Sequence, residues 1–113
     1  MTIKANVSLP VTAIGTTDTV LIETTTQGER VAVSALSLNN TTAGTVNVSL
    51  YISPDLTSAS GTLVDTIALG ANDDDQPLTL IGQGLTSTQN LIAVADVAGS
   101  NAKPTITTYD GGD

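Results

Sequence analysis

Between Val46 and Ser53 the chain alternates without a break. Val46, Val48, Leu50 and Ile52 are aliphatic, and Asn47, Ser49, Tyr51 and Ser53 stand between them. Successive side chains of an extended strand point to opposite faces, so a period of two places the aliphatic set on a core and the polar set in water. A helix would need apolar residues at i, i+3, i+4 and i+7, and no long segment of this chain supplies them. Threonine accompanies Val, Ile and Leu throughout, and such β-branched enrichment suits a pleated, half-buried surface. Turn formers recur every eight to twelve residues or so, the spacing of a sandwich or small barrel.

The pattern parses into strands from the N-terminus onward. Residues 1–17 are the least regular. Ile3, Val7, Leu9 and Val11 share one parity, but Pro10 lacks a ladder donor, so an edge strand or an extended arm is expected. A strand is predicted over Thr19–Thr25, then a turn at TQGE. Val31, Val33 and Ala35 then occupy odd positions, whereas Leu36 and Leu38 are even. A strand that changes parity without a turn contains a bulge, expected near Ala35–Leu36. The runs on either side of NNTTAG predict a hairpin from Arg30 to Ser53.

Beyond it, a loop is expected from Ser53 to Gly61, and strands at Thr62–Leu69 and Pro77–Ile81 separated by GANDDDQ. IGQG reads as a turn. NLIAVADV is apolar on both parities, which predicts a central strand covered on both faces, by the domain or by a partner. Gly99–Asn101 is expected as a hairpin turn, and PTITTY as the last strand. The expected organisation is an arm or edge strand at 1–17, a sandwich domain at 18–109, and a flexible acidic tail at 110–113. The fold class is all-β: about seven or eight antiparallel strands in a two-sheet β-sandwich, jelly-roll or immunoglobulin-like.

Composition narrows the function classes. The 113 residues include no His, no Cys, no Phe and no Trp, and only two Tyr. The common general base, the common transition-metal ligands and the thiol nucleophile are therefore missing. No GxSxG elbow occurs, and Lys is too scarce for a Ser–Lys pair. A pair of carboxylates could hydrolyse glycosides, but the aromatic platforms for sugar rings are absent. The expectation is a protein that is not an enzyme and takes no cofactor.

The net charge is −8, with three basic residues, Lys4, Arg30 and Lys103. Phosphate contacts need clustered Lys and Arg, so nucleic-acid binding is not expected, and an anionic membrane would repel the chain. No leader and no long apolar span is expected. A small core without aromatic rings gains from neighbours, which favours oligomerisation.

Few residues stand out as candidates. Asp73, Asp74 and Asp75 form the conspicuous charge cluster. A Ca²⁺ loop is the functional alternative, but EF-hand spacing is missing, and the favoured expectation is a solvated turn whose charges discourage edge pairing. Asn6, Asn39, Asn40 and Asn47 sit in N-x-[ST] contexts that Thr and Ser richness produces by accident. Partner binding is assigned to Ile3, Lys4, Val7, Leu9 and Val11, which could add a strand to a neighbour's sheet edge. Tyr51, on the wet face of its strand, joins them.

One sequence of segments is familiar. TVLIETT is followed by QGERVAVSALSLNNTT, then GTVNVSLYIS, a loop, LVDTIALG, an acidic turn and NLIAVADVAGSNAKPTITTY. This order resembles the small β-sandwich accessory proteins of tailed-bacteriophage virions, over about Thr19 to Tyr109. The chain departs from the Pro-Ala-Gly turn of that family, carrying TTQGER instead. The resemblance implies a virion structural protein made in a host cytoplasm, bound in many copies to the major capsid protein or other virion proteins. A capsid decoration (cement) protein, trimeric as a homo-oligomer, is the leading expectation. A collar, neck-fibre or tail subunit is the alternative, and a carbohydrate-binding or adhesin module is the third.

Overall fold

The computed structural model describes residues 3–24, 30–77, 80–86 and 89–109, the side chains of Ile3 and Lys4 excepted. Among these residues lie ten strands: β1 Ile3–Ser8, β2 Thr12–Ile14, β3 Thr19–Glu23, β4 Arg30–Asn40, β5 Val46–Ser53, β6 Thr62–Leu69, β7 Asp74–Asp75, β8 Gly84–Leu85, β9 Asn90–Ala95 and β10 Ser100–Tyr109. They form two antiparallel sheets. One is six-stranded, in the order β1-β10-β4-β7, with β2 also on β10 and β8 also on β4; the other is four-stranded, β3-β9-β5-β6. The chain is an all-β two-sheet sandwich.

Aliphatic side chains fill the space between the sheets. Val33, Leu36, Leu38 and Ile106 from the larger sheet meet Val46, Val48, Leu50, Leu91 and Ala93 from the smaller one, each fully buried. Burying each Val, Leu or Ile side chain contributes about 1.5–3 kcal/mol, and the pairing registers hold the set on one face. The parity switch in β4 has the expected cause: Ala35 pairs with Thr105 but Val33 with Ile106, so Ser34 is the extra residue of a bulge. The bulge turns Leu36 and Leu38 back onto the core face already occupied by Val31 and Val33.

The strand count exceeds the expected seven or eight because both edges of the six-stranded sheet are broken. β1 and β2 both lie antiparallel along β10, at residues 105–109 and 100–102, as two halves of one edge strand interrupted around Pro10. Leu9 N–H bonds to Pro104 O at 3.0 Å, and Lys103 Nζ donates to Ser8 Oγ (2.7 Å) and Leu9 O (3.1 Å) across the gap. Of the two alternatives for the N-terminal segment, the structure shows the edge strand. On the opposite edge, β7 and β8 each cover two residues of β4. Short, interrupted edges discourage pairing with other chains.

Three expectations need correction. Arg30–Ser53 is not a hairpin: β4 and β5 belong to different sheets, and residues 41–45 carry the chain from one layer to the other. The same holds for Gly99–Asn101, since β9 and β10 lie in opposite sheets and Ser100 and Asn101 already belong to β10. Alternation states which face of a strand is apolar but not which strand lies beside it, and two facing strands of a sandwich look the same as two paired ones. The third concerns Pro77–Ile81, where Leu80 N–H bonds back to Pro77 O in a turn. A short strand, β7, lies instead at Asp74–Asp75, inside the expected turn. The TQGE turn and the tail 110–113 lie outside the described residues.

Candidate functional site: the outer face of the four-stranded sheet

The loop between β5 and β6 determines what this face presents. It opens with Ser-Pro-Asp-Leu-Thr, and its Asp organises it. Asp55 Oδ1 accepts from Thr57 N–H (2.9 Å), Thr57 Oγ1 (2.8 Å) and Ser53 Oγ (3.0 Å), a turn closed by its own carboxylate. Further along, Ser58 N–H donates to Asp18 Oδ2 at 3.1 Å, beside the start of β3. Since β9 lies between β5 and β3, the loop must cross the outer face above β9 to get there. Asn90 anchors it from below. Its amide donates to Asp55 O (3.2 Å) and Ser53 O (3.4 Å), while its Oδ1 accepts from Thr24 N–H (3.1 Å).

This crossing covers β9 from within the domain. Ile92 is completely buried, yet it is not part of the core cluster between the sheets. Its register neighbours on the same outer face are Val20 on β3 and Tyr51 on β5, and Tyr51 pairs in turn with Leu63 on β6. The result is an apolar row, Val20–Ile92–Tyr51–Leu63, running across all four strands under and beside the loop. Cross-strand pairs of aromatic and branched side chains are a main source of sheet stability. Leu63 and, on the loop, Leu56 remain exposed.

Acidic groups surround the row. Just past the end of β9, Asp96 accepts from Asn47 N–H and Asn47 Nδ2, both at 2.8 Å. These donors, the backbone N–H above all, hold its carboxyl below the ordinary range. Asp55 is lowered from 3.8 to about 2, chiefly by the Thr57 hydroxyl, then by Thr57 N–H and the hydroxyls of Ser60 and Ser53. A carboxyl with a depressed folded pKa adds stability that is complete above its unfolded value and is lost as pH falls through the folded one. The loop clasp is therefore expected to hold at pH 4 and to loosen between about pH 3.8 and 2. A carbon-detected NMR titration of Asp55 should show a midpoint near 2, with the Thr57 amide losing exchange protection in step. An ordinary midpoint near 3.8 would contradict the clasp.

The other residues singled out in the sequence fall elsewhere. Val7 and Leu9 are half-buried against the chain's own core, and Val11 is exposed. Ile3 and Lys4 lie on β1, with their side chains outside the described set. On the outer face of the six-stranded sheet, Val11, Ser37, Asn39, Asp74, Asp75 and Lys103 line a shallow groove of about 340 Å³. It combines exposed Val11 with two carboxylates and hydrogen-bonding groups, and its ammonium is already engaged by Ser8 and Leu9. Among the described residues, no three His, Cys, Asp or Glu side chains gather to hold a metal ion. No helix among them is long and apolar enough to cross a membrane. Of the candidates, Tyr51 alone lies in the apolar row. Leu63 and Asp55 did not stand out in the sequence, although SPDLT carries a recognisable Asp-turn signature.

No family model matches the chain, and no curated protein matches it. Among solved structures it is similar to PirA, with 11% identity and a TM-score of 0.42 over 93% of this chain and 92% of that one. It is also similar to a chain of the infectious bursal disease virus Gx strain, with 16% identity and a TM-score of 0.37, covering 96% of this chain but 29% of the viral one.

Proposed function

We propose that this protein is a structural subunit of a tailed-bacteriophage virion, a capsid decoration protein that binds the head lattice and stabilises it. The supporting observation is the outer face of the four-stranded sheet, where an apolar row ends in exposed Leu63 and the loop over it carries exposed Leu56, on a body of 47 × 26 × 20 Å. Exposed apolar groups with a polar rim mark interaction surfaces. The chain carries neither imidazole nor thiol, which favours binding over turnover. Many copies on a symmetric lattice gain from avidity, so each contact can be individually modest.

The test mixes purified protein with heads that lack it. Co-sedimentation and a raised head melting temperature are expected, because a ligand of the assembled state stabilises it by mass action. A protein that neither pellets with heads nor shifts their melting would overturn the proposal. Copy number separates the head from the neck or tail: hundreds per virion are expected for decoration, on the order of dozens for a collar or fibre part.

A further inference from the structure

Charge is unevenly divided between the two sheets. All three basic residues fall on strands of the six-stranded sheet, Lys4 on β1, Arg30 on β4 and Lys103 on β10. Strands β3, β5, β6 and β9 carry no Lys or Arg. Around the outer face of that sheet stand Asp18, Glu23, Asp55 and Asp96. From the same surface emerge Leu63, 53% exposed, and Leu56, 43% exposed. Buried Ile92 and half-buried Val20 and Tyr51 back them, and the Asp55 and Asn90 hydrogen bonds hold the loop that bears Leu56. The patch is thus preorganised, and little ordering entropy is left to lose on binding.

The sign of the rim decides the occupant. A second copy presenting this same face would set one acidic rim against another on a chain of net charge −8, and like charges across an interface are costly. Nucleic acid and anionic lipid are repelled for the same reason. A protein surface with Lys and Arg around an apolar recess complements both features: its cations meet the carboxylates, and its recess takes the two leucines.

We propose that the outer face of the four-stranded sheet is the docking surface, seated on a basic partner protein with Leu56 and Leu63 as its anchors. This names the face by which the virion subunit attaches, and it rests on that functional reading. Desolvated anchors at the centre carry most of the affinity in such interfaces, while rim charges set association rate and salt dependence.

Two measurements test it, the first independently of the function. In the first, isotope-labelled protein is titrated with an amphipathic peptide of alternating Lys and Leu, and amide shifts are mapped by NMR. Perturbations confined to Asp18–Ile22, Tyr51 and Pro54–Val64 and weakened by 0.5 M salt are expected. A maximum at Asp73–Asp75, or no perturbation, would overturn the surface whatever the protein's role. In the second, Leu56→Asp and Leu63→Asp are compared with Ser37→Asp, on the outer face of the other sheet, in binding to heads. The leucine variants should each lose at least about tenfold in affinity at unchanged melting temperature, and Ser37→Asp should bind as the wild type does. Equal losses at both faces, or a loss only at Ser37, would overturn the docking face. Wild-type protein that fails to bind heads would count against the function alone, and the peptide map would then decide the surface.

Discussion

Gly99→Ala is expected to lower the melting temperature by roughly 10 °C. Gly99 sits where the chain crosses between sheets from β9 to β10, at φ +119°, a region that L side chains rarely adopt. A Cβ placed there would lie 2.1 Å from Thr42 Cγ2. Thr42 is poorly placed to yield, because its one hydroxyl hydrogen is shared between Asn40 Oδ1 (2.7 Å) and Gly44 O (2.9 Å). Nor can the backbone of Gly99 move freely, since its carbonyl accepts both the N–H (3.0 Å) and the Oγ1 (2.9 Å) of Thr41. Forcing a side chain into such a conformation costs about 3 kcal/mol, and about 4 °C of melting temperature accompanies each kcal/mol in a domain of this size. Thermal unfolding by circular dichroism reads the shift. A loss under about 2 °C would mean that the two crossings are not interlocked.

The second large effect belongs to Asn40, which fastens the other crossing. Its side chain is buried and saturated. The two N–H groups of Nδ2 are shared among Gly44 O (2.7 Å), Gly70 O (2.9 Å) and Leu69 O (3.0 Å), and Oδ1 accepts from Thr42 N–H (2.9 Å) as well as its hydroxyl. One residue at the end of β4 thereby grips the loop after it and the end of β6 in the opposite sheet. Asn40→Ala removes these partners together and leaves buried polar groups unmatched, at about 1–3 kcal/mol each where water cannot reach. A total destabilisation of about 3 kcal/mol is expected in urea unfolding, with an unchanged slope. Asn40→Asp keeps the shape and the acceptor but cannot donate, so it should lose nearly as much. Because Asn40 and Gly99 both act through Thr42, the double variant should lose less than the sum.

These two positions show where the sequence was readable and where it was not. Strand location and facing were legible, because alternation is a local property: β6 spans Thr62–Leu69 as expected, and the parity switch at Ala35–Leu36 marked a real bulge. Pairing was not legible. Leu38 and Val48 point into the same core from opposite sheets, and nothing in the runs around NNTTAG distinguishes that arrangement from a hairpin. The discriminating residue was Asn40, a polar side chain on the buried parity of β4, which a Ser- and Thr-rich chain disguised as one more N-x-[ST] match. For the same reason β9 showed that it was covered on both faces, but not that the β5–β6 loop covers it. The Pro77–Ile81 segment failed differently. Leu80 anchors a turn on the core, and a short apolar run does not distinguish the two roles.

At the candidate site, Tyr51 was legible as an aromatic on a wet face, whereas its partners were not. Val20, Ile92 and Leu63 come from separate strands, and only the register of the four-stranded sheet lines them up. The division of charge was likewise invisible in the net value of −8, since it depends on which strands share a sheet.

We propose that this sandwich works by lying against a protein lattice with its four-stranded sheet inward. A reconstruction of intact particles carrying the protein tests that most directly. The expected map shows it on the outside of the head, with Leu56 and Leu63 at the contact and the groove of the six-stranded sheet facing solvent. Particles without the protein, or a map in which the six-stranded sheet makes the contact while Leu63 faces water, would contradict it.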